Sequence, residues 1–339
     1  MAPVYALDHY YLAITVLVTT AYQLLGFAIA WTFQFDKITD FTGGSNFFLL
    51  ALLTLLIGNT FHTRNIVASV FVMVWAVRIA GFLLFRVLKT GSDTRFDDIR
   101  AHFFKFLGFW IGQIVWVWTV SLPVTILNSP AISDLNGTGS DPGFGTSRDI
   151  AGIVLWALGF IIEALADIQK YIASSTIKPS KNAPKDKPIT VGLWKFSRHP
   201  SYFGEMLCWW GIWIIAISPA TDGFLPSSRK SALYGSVVSP LFTFVLLMFA
   251  SGMPTAEKPQ ARKFFLMSHG PDSNNPSAWN DYKEYLRSTS ILIPIPPQVY
   301  RPLPAVVKRT LLLDLPIYRF DEEKDGAAAI EEVRALQRP

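Results

Sequence analysis

Long apolar runs recur along this chain and decide its fold class before any motif is weighed. They fall at Tyr10–Trp31, Asn46–Phe61, Ile66–Leu88, Phe103–Val124, Ile150–Ala166, Tyr202–Ile217 and Ser236–Ser251. A helix needs about 20 apolar residues to cross a hydrocarbon layer of ~30 Å, and every backbone polar group inside that layer must be satisfied within the span. The expected fold is therefore all-α, a polytopic membrane bundle of about seven transmembrane helices. The second, sixth and seventh runs are short, so tilt or extension by neighbouring turns is expected there. Charge usage agrees: 16% of residues are charged and 51% hydrophobic, against about 25% charged in soluble domains.

The net charge of +5 does not point to nucleic acid, because the basic residues sit beside apolar spans, as topology determinants and lipid-headgroup contacts do. With the N-terminus outside, the inner loops hold Lys37, Lys89, Arg95, Arg100 and the basic residues from Lys170 to Arg198. The outer loops hold Arg64, Arg148, Arg229 and Lys230. The asymmetry favours a cytosolic C-terminus. Met1–Tyr10 lacks the basic start of a cleavable signal, so the first run is read as a span. The single cysteine, Cys208, leaves no internal disulfide and no Cys-rich metal site. His9, His62, His102 and His269 lack metal-ligand spacing, and no metal is expected. After Ser251 hydropathy falls. Short cytosolic helices are expected over Glu257–Met267 and Ala278–Arg287, an extended stretch over Ile291–Pro304, and a helix or loose tail over Ala327–Gln337.

Polar groups inside apolar spans are costly and mark candidate sites. The stretch Gly192-Leu193-Trp194-Lys195-Phe196-Ser197-Arg198-His199-Pro200-Ser201-Tyr202-Phe203-Gly204-Glu205 joins a basic, aromatic turn to the sixth span. Pro200 suits the first turn of a helix, which places Tyr202 and Glu205 on one face. Arg198 and His199 then stand where an anion would meet free N–H groups and the helix dipole; the alternative is a snorkelling arginine in an interfacial belt. Glu163 and Asp167 share one face of the fifth span, followed by Gln169 and Lys170. Arg78 lies in the middle of the third span, so it needs an acid, Glu163 or Glu205, or a bound anion. The Gly91–Arg100 loop mixes acids and bases, and Tyr282 and Tyr285 sit one turn apart in the tail. No Gly-rich dinucleotide fingerprint is present, so a nucleotide would be held by side chains among helices.

These motifs, in this order, resemble the steroid 5α-reductase-like superfamily, in particular a membrane branch carrying the steroid 5α-reductase C-terminal domain. The resemblance covers roughly residues 66–297, preceded by N-terminal spans (1–65) and followed by a cytosolic tail (298–339). It rests on the Gly91–Arg95 loop, on Glu163 and Asp167-x-Gln169-Lys170, and on the Gly192–Glu205 stretch. Ser251-Gly252 with Glu257, and Tyr282, Tyr285 and Pro294, complete the set. It implies NADPH held in a cytosol-facing cavity. Asp167 and Glu205 would lie near the nicotinamide, and Arg78, Lys187 and Arg198 near phosphates, with Arg95, Gln169, Lys170, His199, Ser201 and Tyr202 completing the cofactor site. Three positions depart from the pattern: Ser201 stands where Asn is usual, Trp75 where the steroid reductases place a catalytic Tyr, and Phe96 where Tyr is frequent. With two phenols absent, Tyr202 is the remaining proton-donor candidate, with Glu205 beside it.

The function these residues favour is NADPH-dependent reduction of a carbon–carbon double bond in a lipophilic steroid, sterol or enoyl-lipid substrate. It would be an oxidoreductase of lipid metabolism in an internal membrane such as the endoplasmic reticulum. The sequence leaves the substrate and any protein partner open. Two rivals remain: an S-adenosylmethionine-dependent membrane methyltransferase with a related Arg-His-Pro turn, and a non-catalytic lipid- or cofactor-binding membrane protein.

Overall fold

The computed structural model describes residues 4–34, 38–59, 61–90, 99–134, 143–177 and 187–337, with the backbone alone for residues 90 and 174–177. Among the described residues the fold is all helix with no strand, and seven helical stretches are long and apolar enough to cross a membrane. The protein is thus an integral, multi-pass membrane protein. Six of the seven stretches are α1 (Leu12–Thr32), α2 (Thr39–Gly58), α3 (Thr63–Thr90), α4 (Phe103–Asn128), α5 (Ser147–Ile177) and α6 (Pro200–Ala216). The seventh lies within Ser227–His269 and is broken into segments. Of these, α7 (Val238–Val245) passes into a π-type turn at Leu246–Ala250, and α8 (Met253–His269) follows. The tail adds α9 (Ala278–Ser288) and α10 (Lys324–Leu336).

One face of α5 shows why lipid, not water, is the solvent. Ile150, Val154, Leu158, Ile161, Leu165, Ile168 and Ile172 recur every three or four residues, and all are exposed. A stripe of that period on a helix of this length would be a liability in water.

Two boundaries differ most from the sequence reading. Helix α2 begins at Thr39 rather than Asn46, although Thr39–Ser45 is polar and glycine-bearing. There the Thr42 and Ser45 hydroxyls donate to the carbonyls of Ile38 and Phe41, at 2.8 and 2.6 Å, so these groups are satisfied inside the helix. Helix α5 continues past Ala166 to Ile177, carrying the acidic and basic residues of its end out of the apolar stretch.

The chain forms two compact units. The first comprises Met1–Leu158 and Leu207–Thr243. Lipid tails give helices little hydrophobic reason to associate, so packing and interhelical polar contacts must act instead. Gln23 donates to Asn46 (3.1 Å), Asn128 donates to Thr54 and Ser69 (3.1 and 2.9 Å), and Arg64 is doubly bonded to Asp149 (2.8 and 2.9 Å). Phe47, Trp75 and Trp209 form a buried aromatic knot with centroids 5.0–5.3 Å apart. Trp75, at the position of an expected phenol, is core packing. Close helix approach in this unit rests on glycine: a Cβ on Gly211 would lie 2.7 Å from the Gly152 carbonyl and from the Trp156 amide.

The second unit comprises Gly159–Met206 and Phe244–Pro339. Here a Cβ on Gly204 would lie 2.6 Å from the Gly159 carbonyl and 2.8 Å from the Glu163 Cβ. One apolar cluster gathers Met206, Leu247, Met248, Met253, Ile291, Leu292 and Tyr318. A second packs α8 on α9 through Phe264, Phe265, Trp279, Tyr282 and Tyr285. The tail is therefore built into this unit rather than loose. Tyr318 donates its hydroxyl to the Met248 carbonyl at 2.6 Å, an acceptor within the π-type turn.

Candidate functional site

The stretch preceding α6 is held by backbone and short polar side chains. Gly192 takes φ +54°, a conformation only glycine enters freely, and a Cβ there would meet the Gln169 amide at 2.3–2.5 Å. Gln169 Oε1 accepts the Leu193 N–H at 2.9 Å, and the Trp194 indole donates to the Ala166 carbonyl at 2.9 Å. Lys170 lies 4.9 Å over the Trp194 ring, and Tyr285 donates to the Trp194 carbonyl at 3.2 Å. Next, the Ser197 hydroxyl donates to Leu292 O (2.7 Å) and accepts the His199 N–H (3.1 Å). The Arg198 N–H donates to Ser290 O (2.8 Å). Pro200 then opens α6, which is where its fixed φ and missing N–H are harmless.

This scaffold aims two side chains into a buried charge network. Arg198 donates from Nη1 to Glu257 Oε2 at 2.5 Å and from Nη2 to Asp314 Oδ1 at 2.9 Å. His199 donates from Nε2 to the other oxygen of Glu257 at 2.6 Å, and Tyr300 donates to Asp314 Oδ2 at 2.8 Å. Arg198 and Glu257 are buried, with 5% and 6% of their side chains exposed, whereas Asp314 keeps 14%. Tyr202 stacks on His199 with centroids 5.0 Å apart and planes 3° from parallel. Glu257 is delivered by α8, whose start depends on the break at Ser251-Gly252; a Cβ on Gly252 would lie 2.3 Å from Leu247 O.

Burial opposes the charge on Arg198, but Glu257 and Asp314 outweigh it and hold the guanidinium protonated. Burial pushes His199 below the ordinary imidazole range, with Arg198 and Lys170 adding to that push against Glu257. Tyr282, Tyr285 and Tyr300 are pushed far upward, chiefly by burial, and Tyr318 to about 12. All four phenols are neutral at working pH, and Tyr285, Tyr300 and Tyr318 donate hydrogen bonds.

Beside this network opens a cavity of about 440 Å³, lined by α8, α9 and the tail. Its cations are Arg198, Lys283, Arg287, Lys308 and Arg319; its acids are Glu257, Asp314 and Glu322. Lys283 pairs with Glu322 at 3.1 Å. The side chains of Arg287 and Arg319 are exposed and have no carboxylate partner among the described residues.

The sequence-derived candidates divide accordingly. Arg198, His199 and Tyr202 come together in one network. Gln169 and Lys170 brace the turn that presents it. Lys187 is exposed and lines a separate, more open cleft of about 560 Å³ with Lys195, Asp281 and Tyr285. Asp167 is half-buried near the end of α5, with the wholly buried Glu163 one turn earlier. Ser201 and Glu205 lie half-buried in the first turns of α6. Arg78 stands half-buried on α3 in the first unit. Arg95 and Phe96 lie outside the described residues. Sequence reasoning missed Asp314 and Tyr300 altogether and gave Glu257 no role. One signal was available: Asp314 is the single charge within Leu311-Leu312-Leu313-Asp314-Leu315.

Fold and site together define a polytopic helical membrane protein with a buried ionic network and a cation-rich cavity at the entry to one span. The chain belongs to the family described as protein of unknown function DUF1295, whose model matches residues 26–268. No curated protein and no solved structure matches it.

Proposed function

We propose that this protein is a steroid 5α-reductase-like, NADPH-dependent reductase of a carbon–carbon double bond in a lipophilic substrate. The observation that carries the reading is the Arg198–Glu257–His199 network, stacked on Tyr202 at the entry to α6 and adjoining a cavity in which cations outnumber acids. A dinucleotide's phosphates fit such a wall: Arg287 and Arg319 carry charge that no described carboxylate neutralises, and guanidinium matches phosphate geometry. Bound NADPH would supply a hydride to the electron-poor carbon of a conjugated double bond.

The chain's own residues would do the rest. Arg198, Arg287, Lys308 and Arg319 bind the phosphates. Glu257 fixes the His199 ring, and His199 fixes the Tyr202 ring by stacking. Tyr202 would hold a proton at its hydroxyl for the α-carbon, or for the oxygen of the conjugated carbonyl, once the β-carbon has taken the hydride. Glu205 lies one turn further along the same face of α6. A substrate that partitions into the bilayer would enter from the lipid side, and the basic loops favour a cytosolic face for the cofactor, in a membrane such as that of the endoplasmic reticulum.

Thermal unfolding of the detergent-purified protein with NADPH, NADH and S-adenosylmethionine in parallel tests the reading. A ligand at about 100 times its Kd adds about 2.7 kcal/mol. Stabilisation by NADPH is the expected result. Stabilisation by S-adenosylmethionine alone would transfer the fold to methyl-group chemistry, and no response to any of the three would leave a binding scaffold.

A further inference from the structure

The buried network holds one guanidinium between two carboxylates that are not equivalent. Glu257 sits within helix α8 and is fixed from two sides, by Arg198 and by His199. Asp314 is carried by the irregular tail, keeps more exposure, and besides Arg198 is held at its carboxylate by the Tyr300 hydroxyl. The residue before it, Leu313, adopts φ +61°, the left-handed region that a branched side chain disfavours. Asp314 N–H bonds to Lys308 O at 2.9 Å and Leu315 N–H to Leu313 O at 2.8 Å, a tight reversal that presents the carboxylate to Arg198. Asp314 also borders the cavity, as do Arg198, Lys308 and Arg319. The tail residues that build this device lie beyond residue 268, where the family match ends.

A carboxylate held by a strained reversal and bordering a surplus of cations resembles a resident anion more than a structural anchor. We propose that Asp314 is a built-in occupant of a phosphate site, holding Arg198 until a phosphate-bearing ligand enters the cavity and takes the guanidinium in its place. The ligand's phosphate would be gripped by Arg198 from below and by Arg287, Lys308 and Arg319 at the rim. Released, Asp314 gives up both Arg198 and the Tyr300 hydroxyl for solvent, and the reversal at Leu313 relaxes. The tail thus competes with ligand for one side chain, so affinity is set by a segment outside the transmembrane bundle. This deepens, and rests on, the assignment of the cavity to a ligand's phosphates, but it does not require that the ligand carry a nicotinamide.

The test uses the full-length protein in detergent and inorganic pyrophosphate as probe, with binding followed by calorimetry. Asp314→Asn removes the competing charge while keeping size, and pyrophosphate should bind about tenfold tighter or more. Tyr300→Phe removes one of the two side-chain contacts on Asp314 and should tighten binding a few-fold, with less disturbance of the fold. Arg287→Ser with Arg319→Ser, both exposed, should weaken binding several-fold in every background. Unchanged or weaker binding by both Asp314→Asn and Tyr300→Phe would overturn the proposal, because a merely structural aspartate loses stability without releasing affinity. Indifference to the paired arginine changes would overturn it as well. NADPH and phosphatidic acid as competitors then separate a cofactor's phosphates from a lipid headgroup. Tighter pyrophosphate binding in Asp314→Asn with no displacement by NADPH would leave the exchange standing and remove the reductase reading.

Discussion

Replacing Glu257 by alanine isolates the energetic centre of the network. In the folded protein its two oxygens accept from Arg198 at 2.5 Å and from His199 at 2.6 Å, and 6% of the side chain is exposed. The variant leaves Arg198 with Asp314 as its remaining carboxylate and leaves the imidazole N–H without its acceptor. Removing one partner of a buried ion pair costs about 3–5 kcal/mol, because the remaining charge stays desolvated, whereas an exposed pair is worth about 0–1 kcal/mol. For a domain of about 150–250 residues that converts to a midpoint lowered by on the order of 10 °C. A control lies on the same helix: Arg262 pairs with Glu332 at 2.9 Å, but both are substantially exposed. Thermal unfolding in detergent, followed by tryptophan fluorescence, should show Glu257→Ala far below wild type and Arg262→Ala within a few degrees of it. Glu257→Gln, which retains an acceptor for one donor, should fall between. If Glu257→Ala and Arg262→Ala shift the midpoint equally, the network is solvated and the argument from burial fails.

Three further outcomes follow from the same geometry. Because burial, aided by Arg198 and Lys170, keeps folded His199 neutral where the unfolded chain's imidazole takes a proton at about 6.5, the unfolded state binds more protons in that window. Stability should therefore fall as pH drops below about 6.5 and return above it; midpoints measured from pH 5 to 8 should show this slope reduced in His199→Gln, and an unchanged slope would assign it elsewhere. Gly204→Leu should abolish monodisperse folding on size exclusion, since its Cβ would sit 2.6–2.8 Å from backbone and Cβ atoms of the facing helix; normal elution with an unchanged midpoint would contradict that close approach. Gly192→Ala, at φ +54° against Gln169, should cost about 1–3 kcal/mol, read as a lowered midpoint that Gln169→Ala in the same chain does not restore, because the backbone strain remains.

The membrane fold was legible because the bilayer imposes one requirement on every span, a long apolar helix; four runs met it outright, and the three short ones are extended by neighbouring turns. Boundaries were less legible where polar residues are satisfied locally. The Thr42 and Ser45 hydroxyls bond within their own helix, so a stretch that reads as a loop is helical. Glycine spacing carried a signal that hydropathy hides. Gly152 and Gly159 on α5, and Gly204 and Gly211 on α6, recur at seven-residue intervals, and each packs against a facing helix with no room for a Cβ at Gly152, Gly204 or Gly211. A small residue repeated at heptad distance in a membrane span marks the face on which backbones meet.

The candidate site divides along the range of its contacts. Arg198, His199, Pro200 and Tyr202 are local to one turn, and their spacing alone places a basic pair at a helix entry with an aromatic ring one turn later. What Arg198 binds is not local. Its acceptors come from residues 59 and 116 positions later, and no periodicity links them to the turn. Yet a charge buried at the edge of a membrane must be answered by opposite charge, so an isolated acid in an apolar run is a candidate partner wherever it falls. Asp314 is such an acid, flanked by leucines on both sides. Leucines that pack, as Leu313 and Leu315 do against the second unit's core, draw the aspartate between them towards the interior, where it needs a cation. The sequence motif therefore identifies the cation, and the hydropathy anomaly identifies its counter-ion.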